Sequence, residues 1–303
     1  MEKQFTGPGL ASGADIEMLT ALWSSSFGDP EPLIRNFLTV VASNENTVVY
    51  REDGRVVSCA FLIPATLHIG RDTYRAYYFY AAATLPDERR QGYMEQVIRF
   101  SRSLCEERGI DFLVLVPTNN DLYQYFSRFG FRANFYLKTT EMDRGQLAAL
   151  AEKMVSGDGE EAAVPVAFAP TEMQAIREQA LAAGSWLEFD RSTLQYLFFD
   201  HVFRGGKTLL LPDGYALYEL SEDDSGERVL KVRELCSVGD PGKLLKELVA
   251  VEADRYVLNL PAFDSIRGGR TATGRAGMDL AISKEAVRAE RSMKNAYIGL
   301  TLG

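Results

Sequence analysis

The sequence predicts an α/β (α+β) chain: a mixed central β-sheet flanked by helices, followed by a second, weaker run of the same element types. Three observations carry this. Residues 76–83 read Ala-Tyr-Tyr-Phe-Tyr-Ala-Ala-Ala, almost purely apolar, as in a buried strand. The loop Leu85-Pro86-Asp87-Glu88-Arg89-Arg90-Gln91-Gly92-Tyr93-Met94 then opens a helix, on which Met94, Val97, Ile98, Ser101, Leu104 and Cys105 recur at helical spacing until Gly109 stops it. Finally, the order strand, strand, strand, helix, strand appears again after residue 207.

The remaining elements follow in order. Apolar periodicity predicts opening helices over residues 15–26 and 33–42. Thr47-Val48-Val49-Tyr50 and Val56-Val57-Ser58-Cys59-Ala60-Phe61 flank Glu52-Asp53-Gly54, which reads as a hairpin. Residues 112–117 form a short apolar strand, and an aromatic-rich helix follows Asn119. A further helix over 145–155 runs into the small, polar stretch Ser156-Gly157-Asp158-Gly159-Glu160-Glu161, which reads as a linker. The expected division is therefore 1–150, a linker at 151–164, and 165–303. Within the last part, helices are expected over 171–183 and 192–202. Strands are expected at 208–211, 215–218, 229–236 and 256–260, with a helix carrying Leu244, Leu245, Leu248 and Val249. The segment from Arg267 to Arg275 reads as a loop. The tail alternates Tyr297, Gly299, Thr301 against Ile298, Leu300, Leu302, the pattern of a strand with one apolar face.

Composition narrows the function. With 303 residues, 46% of them apolar, the chain can bury a sizeable core. No run of about 20 apolar residues offers a membrane span, and Met1-Glu2-Lys3-Gln4 lacks the apolar core of a signal peptide. A cytoplasmic enzyme is the expectation. Cys59, Cys105 and Cys236 sit singly in apolar patterns without metal-ligand spacing, so buried free thiols and no metal are expected. Only His68 and His201 are available for a triad or zinc site, and no Gly-x-Ser-x-Gly elbow accompanies either. A formal net charge of −9 argues against nucleic acid and is compatible with a cationic substrate.

The loop around Arg89, Arg90 and Gly92 is the chemical feature. Two cations and a glycine precede a helix N-terminus, whose free amides and positive dipole end suit a phosphate. Downstream, Asn119 is followed by Leu122-Tyr123-Gln124-Tyr125-Phe126 and by Phe129-Gly130-Phe131. Arg-x-x-Gly-x-Met, then Asn, then a helix ending in Gly-Phe, resembles the pyrophosphate loop and the following signature of the GNAT acetyltransferases. The loop's usual last residue is small, where this chain has Met94. The tandem arrangement further resembles the enhanced-intracellular-survival class, which carries one active and one degenerate GNAT-like domain and a third, sterol-carrier-like domain that this chain does not include.

That resemblance implies a GNAT fold followed by a second, degenerate GNAT-like domain that binds no CoA. It implies acetyl-CoA as co-substrate, with Ala82, Ala83 and Thr84 pairing with the pantetheine arm. Arg89, Arg90, Gln91, Gly92, Tyr93 and Met94 would cradle the pyrophosphate, and Asn119 would hold the pantetheine or the adjoining helix turn. The acceptor would be an amine of a small molecule or peptide, attacking directly in a ternary complex. Many family members place a tyrosine four residues before the Gly-Phe glycine to protonate the departing thiolate. Here that position is Phe126, which leaves Tyr123 or Tyr125 to supply the hydroxyl. A C-terminal carboxylate, here Gly303, serves as base in the related class; Glu141 and Glu234 are further carboxylates at strand-like positions. A CoA-binding regulatory or scaffold protein without turnover is the rival reading, and homo-oligomerisation is left open.

Overall fold

In a computed structural model that describes residues 6–155 and 169–301, the apolar run at 76–83 lies inside a long strand, Asp72–Thr84. Clustering of backbone contacts gives two units. One holds residues 6–67, 72–133 and 277–292 of those described; the other holds 68–71, 134–155, 169–276 and 293–301. The division expected near residue 150 thus differs from the observed one, because residues 134–150 pack with the second unit and a late segment returns to the first. The expected linker, apart from its first residues, lies outside the described residues.

The first unit opens with β1 (Gly7–Leu10), α1 (Ile16–Phe27) and α2 (Glu31–Val40). Then come β2 (Thr47–Glu52), β3 (Arg55–Ile69), β4 (Asp72–Thr84), α3 (Tyr93–Arg108), β5 (Phe112–Leu115) and α4 (Asn120–Ser127). Asp53 and Gly54 join β2 to β3 with φ of 49° and 76°, both positive as a two-residue hairpin loop requires. The α3 helix stops where Gly109 turns left-handed at φ 63° and donates its N–H to the carbonyls of Cys105 and Glu106. Its apolar stripe, Val97, Ile98, Leu104 and Cys105, packs with Tyr77, Phe79, Leu113 and Leu115. Sheet side chains alternate in direction, so the opposite face carries a different set. There Trp23, Phe37, Phe61 and Tyr80 form an aromatic cluster with ring centroids 4.9–5.5 Å apart.

The second unit contains β6 (Arg132–Asp143) from Asn134 on, α5 (Arg144–Met154), α6 (Pro170–Leu181), β7 (Trp186–Phe189) and α7 (Arg191–Phe203). It continues through β8 (Lys207–Leu211), β9 (Gly214–Glu222), β10 (Arg228–Ser237), α8 (Gly242–Ala250) and β11 (Arg255–Pro261). Its strand order is β6-β11-β10-β9-β8, antiparallel except for the β10–β11 pair that α8 connects. Leu147 and Ala151 of α5 and Leu244, Leu245 and Leu248 of α8 share one core with Leu230, Val232, Tyr256 and Leu258 of the sheet. The final elements are β12 (Arg270–Ala281) and α9 (Lys284–Glu290); from Gly277 to Ser292 the chain belongs to the first unit.

Two sequence expectations are corrected. The segment up to Arg275, expected as a loop, enters β12 at Arg270. The strand's first half is exposed and polar, so it carries no hydrophobic signal, whereas Met278 to Leu280 are buried. The tail is not an alternating strand either. Ala296, Tyr297, Ile298 and Leu300 are all buried, and the segment makes only isolated bridges, Phe135 with Ala296 and Trp186 with Tyr297, among the described residues.

Cys59, Cys105 and Cys236 are buried and unbridged. Burial pushes the Cys59 and Cys105 thiols up to about 12 and that of Cys236 well above its ordinary range. Since the thiolate is the nucleophile, the native protein is expected to resist alkylation at neutral pH and to react at three sites once denatured. Rapid labelling of any of the three in the native state would contradict this packing.

Candidate functional site

The distinctive geometry of the first unit lies where β4 and β5 part. Their parallel pairing joins Ala76 to Phe112, Tyr77 to Leu113 and Tyr78 to Val114, and goes no further, although β4 runs on to Thr84. Ala81 marks the divergence: it has φ 46° within the strand, a left-handed conformation that alanine rarely adopts. Such a kink re-aims the strand beyond it. On the β3 side the end of β4 remains held, since Ser58 Oγ donates to the Ala83 carbonyl at 2.9 Å and lies 2.9 Å from Thr84 Oγ1. The strand end at Ala82, Ala83 and Thr84 therefore presents a backbone edge towards the gap left by β5, ready for an extended ligand to add as a strand.

The loop after β4 is shaped around the start of α3. Gly92 is the helix N-cap at φ 85°, and Arg90 is also left-handed at φ 68°. The first amides of α3 have no intrahelical acceptor and point out of the helix end. Tyr93 stacks on Tyr50 of β2, with ring centroids 4.6 Å apart, which anchors the first turn. Met94 packs against the core, so its side chain leaves the loop and its amide is what the loop can use. This explains how Met94 stands where a small residue is usual. Arg89 reaches back to the Thr84 carbonyl with Nε at 3.3 Å, and both Arg89 and Arg90 are exposed. Positive charge, free amides and the helix dipole converge on one spot beside the open end of β4.

On the far side of the gap, Asn119 caps α4, its Oδ1 accepting the Leu122 N–H at 3.0 Å. Of its two expected tasks, it performs the helix-turn one. Tyr123 and Phe126 face the core beside Leu115 and Phe79. Tyr125 packs edge-on against Phe126 and Phe129, lies under the Arg128 guanidinium, and lines a surface hollow with Asp121, Leu122, Gln124 and Arg128. Burial raises the Tyr125 hydroxyl pKa, with Arg128 opposing. The structure thus brings 82–84, 89–94 and 119–126 to the ends of β4 and β5. Gly303 lies outside the described residues.

Glu141 and Glu234 have structural partners. Glu141 accepts from Arg255 at 2.7 Å. Glu234 is fully buried in the second unit with Arg177 Nε at 2.9 Å, and it also accepts from the Tyr215 hydroxyl at 2.6 Å and the Leu300 N–H at 2.9 Å. Burial opposes the Arg177 charge, yet Glu234 beside it raises the guanidinium pKa further. This cluster follows the last parallel pair of β10 and β11, Val232 with Leu258. The place that is open after β4 in the first unit therefore carries a buried ion pair and the tail in the second. His68 stacks on Trp186 and pairs with Glu188 at 2.5 Å, and His201 is buried, which lowers its pKa. Among the described residues, no group of His, Cys, Asp or Glu is placed to hold a metal ion, and no helix is long and apolar enough to cross a membrane.

Comparison with known proteins agrees with this geometry. Residues 10–133 match the family described as Acetyltransferase (GNAT) domain. No curated protein matches the chain. Among solved structures, the chain is similar to a GCN5-related N-acetyltransferase from Kribbella flavida, with 15% identity over 94% of this chain and 73% of that one, at a TM-score of 0.71. It is also similar to Eis1 from Mycobacterium abscessus, with 17% identity over 94% and 76% and a TM-score of 0.72. A conserved protein of unknown function from Enterococcus faecalis, a probable N-acyltransferase, gives 10% identity over 93% and 74% and a TM-score of 0.76. At these identities the structural likenesses establish a shared fold.

Proposed function

We propose, on the premise that this chain belongs to the GNAT superfamily, that it transfers the acetyl group of acetyl-CoA to an amine of a small molecule or peptide by direct attack in a ternary complex. The observation that carries this reading is the coincidence, within the matched segment, of an unpaired strand end at Ala82, Ala83 and Thr84 with the cationic helix N-terminus at 89–94. Pantetheine would add to the β4 edge as a strand. The amides of Arg90, Gln91, Gly92, Tyr93 and Met94 would receive the pyrophosphate, with Arg89 and Arg90 supplying charge. Asn119 would fix the α4 turn that borders the thioester.

The second unit binds no CoA in this scheme, because the corresponding position holds the Arg177–Glu234 pair. The net charge of −9 favours a cationic acceptor, and a cytoplasmic location fits a thiol-bearing co-substrate and unbridged cysteines.

We assign the thiolate proton to Tyr123, which packs with Phe126 in the core beside Leu115 and Phe79 where β5 ends, while Tyr125 borders the surface hollow. Tyr123→Phe is expected to lower kcat by about two decades or more, the usual worth of a general acid, with acetyl-CoA affinity nearly unchanged. Tyr125→Phe should be close to silent. Equal and full activity in both variants would mean that the thiolate leaves unaided or takes its proton from water.

Phe126 standing at the family's tyrosine position favours one rival: a CoA-binding regulatory or scaffold protein without turnover. Calorimetric titration with acetyl-CoA, paired with thiol release over a panel of amines, separates the two. Tight binding with no thiol released by any amine would support the rival.

A further inference from the structure

In the first unit Arg35, Arg51, Arg55, Arg99, Arg102 and Arg132 each donate to a carboxylate. Arg128, the C-cap residue of α4, is exposed and held in another way. Its guanidinium carbon lies 4.8 Å from the centre of the Tyr125 ring, and its Nε donates to the Tyr125 carbonyl at 3.5 Å. Its two terminal nitrogens have no partner among the described residues. A guanidinium laid on an aromatic face has already lost much of its rotamer freedom, and its open edge matches two oxygens of a phosphate.

This cation borders the surface hollow on α4. Arg128 is the one cation among the residues that line it, and Asp121 is the one acid. They stand about 10 Å apart along the helix, at 1.5 Å per residue, so the acid does not neutralise the guanidinium. The hollow also adjoins the pyrophosphate loop. Tyr125 and Phe129 pack against the same core as Met94, the last residue of that loop. Burial raises the Tyr125 hydroxyl pKa, Arg128 opposes this, and Glu95 in the first turn of α3 adds to it, which sets the ring beside that turn. Glu95 is itself matched by Arg99, whose Nε and Nη2 donate to it at 2.9 and 2.8 Å. The pyrophosphate of CoA joins pantetheine on one side to 3′-phosphoadenosine on the other. With pantetheine directed along β4, the ribose continues outward from the loop, and the hollow is the neighbouring surface that carries an unmatched cation.

Resting on the acetyl-CoA reading above, we propose that Arg128 is a specificity residue for the co-substrate. Its open guanidinium edge receives the 3′-phosphate of CoA, so the site separates CoA from the same molecule without that phosphate. Tyr125 positions the guanidinium through its ring. The hydroxyl has no part in this, so Tyr125→Phe keeps the preference.

The test is calorimetric titration of wild type, Arg128→Ala, Arg128→Gln and Arg90→Ala with CoA and with dephospho-CoA, which differ only in the 3′-phosphate. Wild type should bind CoA at least about tenfold more tightly, the low end of what a hydrogen bond to a charged group contributes. Arg128→Ala should lose that factor on CoA and keep wild-type affinity for dephospho-CoA, so that its two affinities coincide. Arg128→Gln, which retains most of the stem but not the charge, should behave the same way. Arg90→Ala removes charge from the pyrophosphate loop and should weaken both probes alike. Raising the salt concentration should shrink the wild-type preference. A wild type that binds both probes equally overturns the inference, and that comparison needs no variant to fold. So does an Arg128→Gln protein that retains the preference, or an Arg128→Ala protein that loses affinity for both probes in equal measure. In each of those cases CoA still binds and the transferase reading stands. A wild type that binds neither probe sinks this inference together with that reading.

Discussion

Replacing Glu234 with alanine is expected to destabilise the protein by about 3–5 kcal/mol, the range found when one partner of a buried ion pair is removed. Arg177 is 2% exposed, and its guanidinium donates to Glu234, to the Leu187 carbonyl and to the Ile298 carbonyl. Without the carboxylate that charge stays buried with only neutral acceptors. The Tyr215 hydroxyl and the Leu300 N–H lose their acceptor at the same time, which adds the desolvation of two orphaned donors. The measurement is the urea midpoint, compared at unchanged slope.

Three companion variants separate the causes. Glu234→Gln keeps the shape and one acceptor oxygen but not the charge, so it should fall between wild type and alanine. Arg177→Met alone should cost about as much as Glu234→Ala, because it strands the carboxylate instead. The double variant Arg177→Met/Glu234→Leu should recover most of the loss, since buried ion pairs exchanged for apolar residues of like volume are often neutral. Gly299 belongs to the same cluster: at φ 68°, a β-carbon there would come within 2.4 Å of Glu234 Oε2. An unchanged midpoint in Glu234→Ala would mean that the pair does not form in solution.

The same residues show why parts of the fold were legible in the sequence and others were not. β4 and α3 announce themselves because each buries one continuous face, and the resulting periodicity survives in a single sequence. Asp53-Gly54 was equally plain, since only residues that tolerate positive φ close a two-residue hairpin. Ala81 gave no such notice: alanine has no turn preference, and its φ of 46° is imposed by tertiary packing.

Glu234 looked like an ordinary strand carboxylate, because its explanation stands 57 positions away at Arg177. Tyr297 read as a solvent-facing position for a similar reason: its seat is formed by residues distant in sequence. Asp279 gave only one sequence signal, an acid between Met278 and Leu280, and its burial follows only once β12 is paired with β5.

The CoA loop was legible because its chemistry is local, and so its test is local as well. Gly92→Val is expected to weaken acetyl-CoA binding at least tenfold, about 1.4 kcal/mol. The cause is the backbone rather than a clash. No atom lies within 4 Å of the position a β-carbon would take, but the φ of 85° is one that a β-branched residue avoids. Relieving that strain, of order 1–3 kcal/mol, must rotate the peptide units on either side of residue 92. Those units carry the amides of Gly92 and Tyr93, which are the donors assigned to the pyrophosphate. Fold stability should change little because residues 89–92 are exposed. The arginines act by charge, so the loss in Arg89→Ala/Arg90→Ala should shrink as salt is raised, whereas the loss in Gly92→Val should not. A folded Gly92→Val protein with wild-type affinity would show that the loop amides do not hold the pyrophosphate, and the CoA site would have to lie elsewhere than the end of β4.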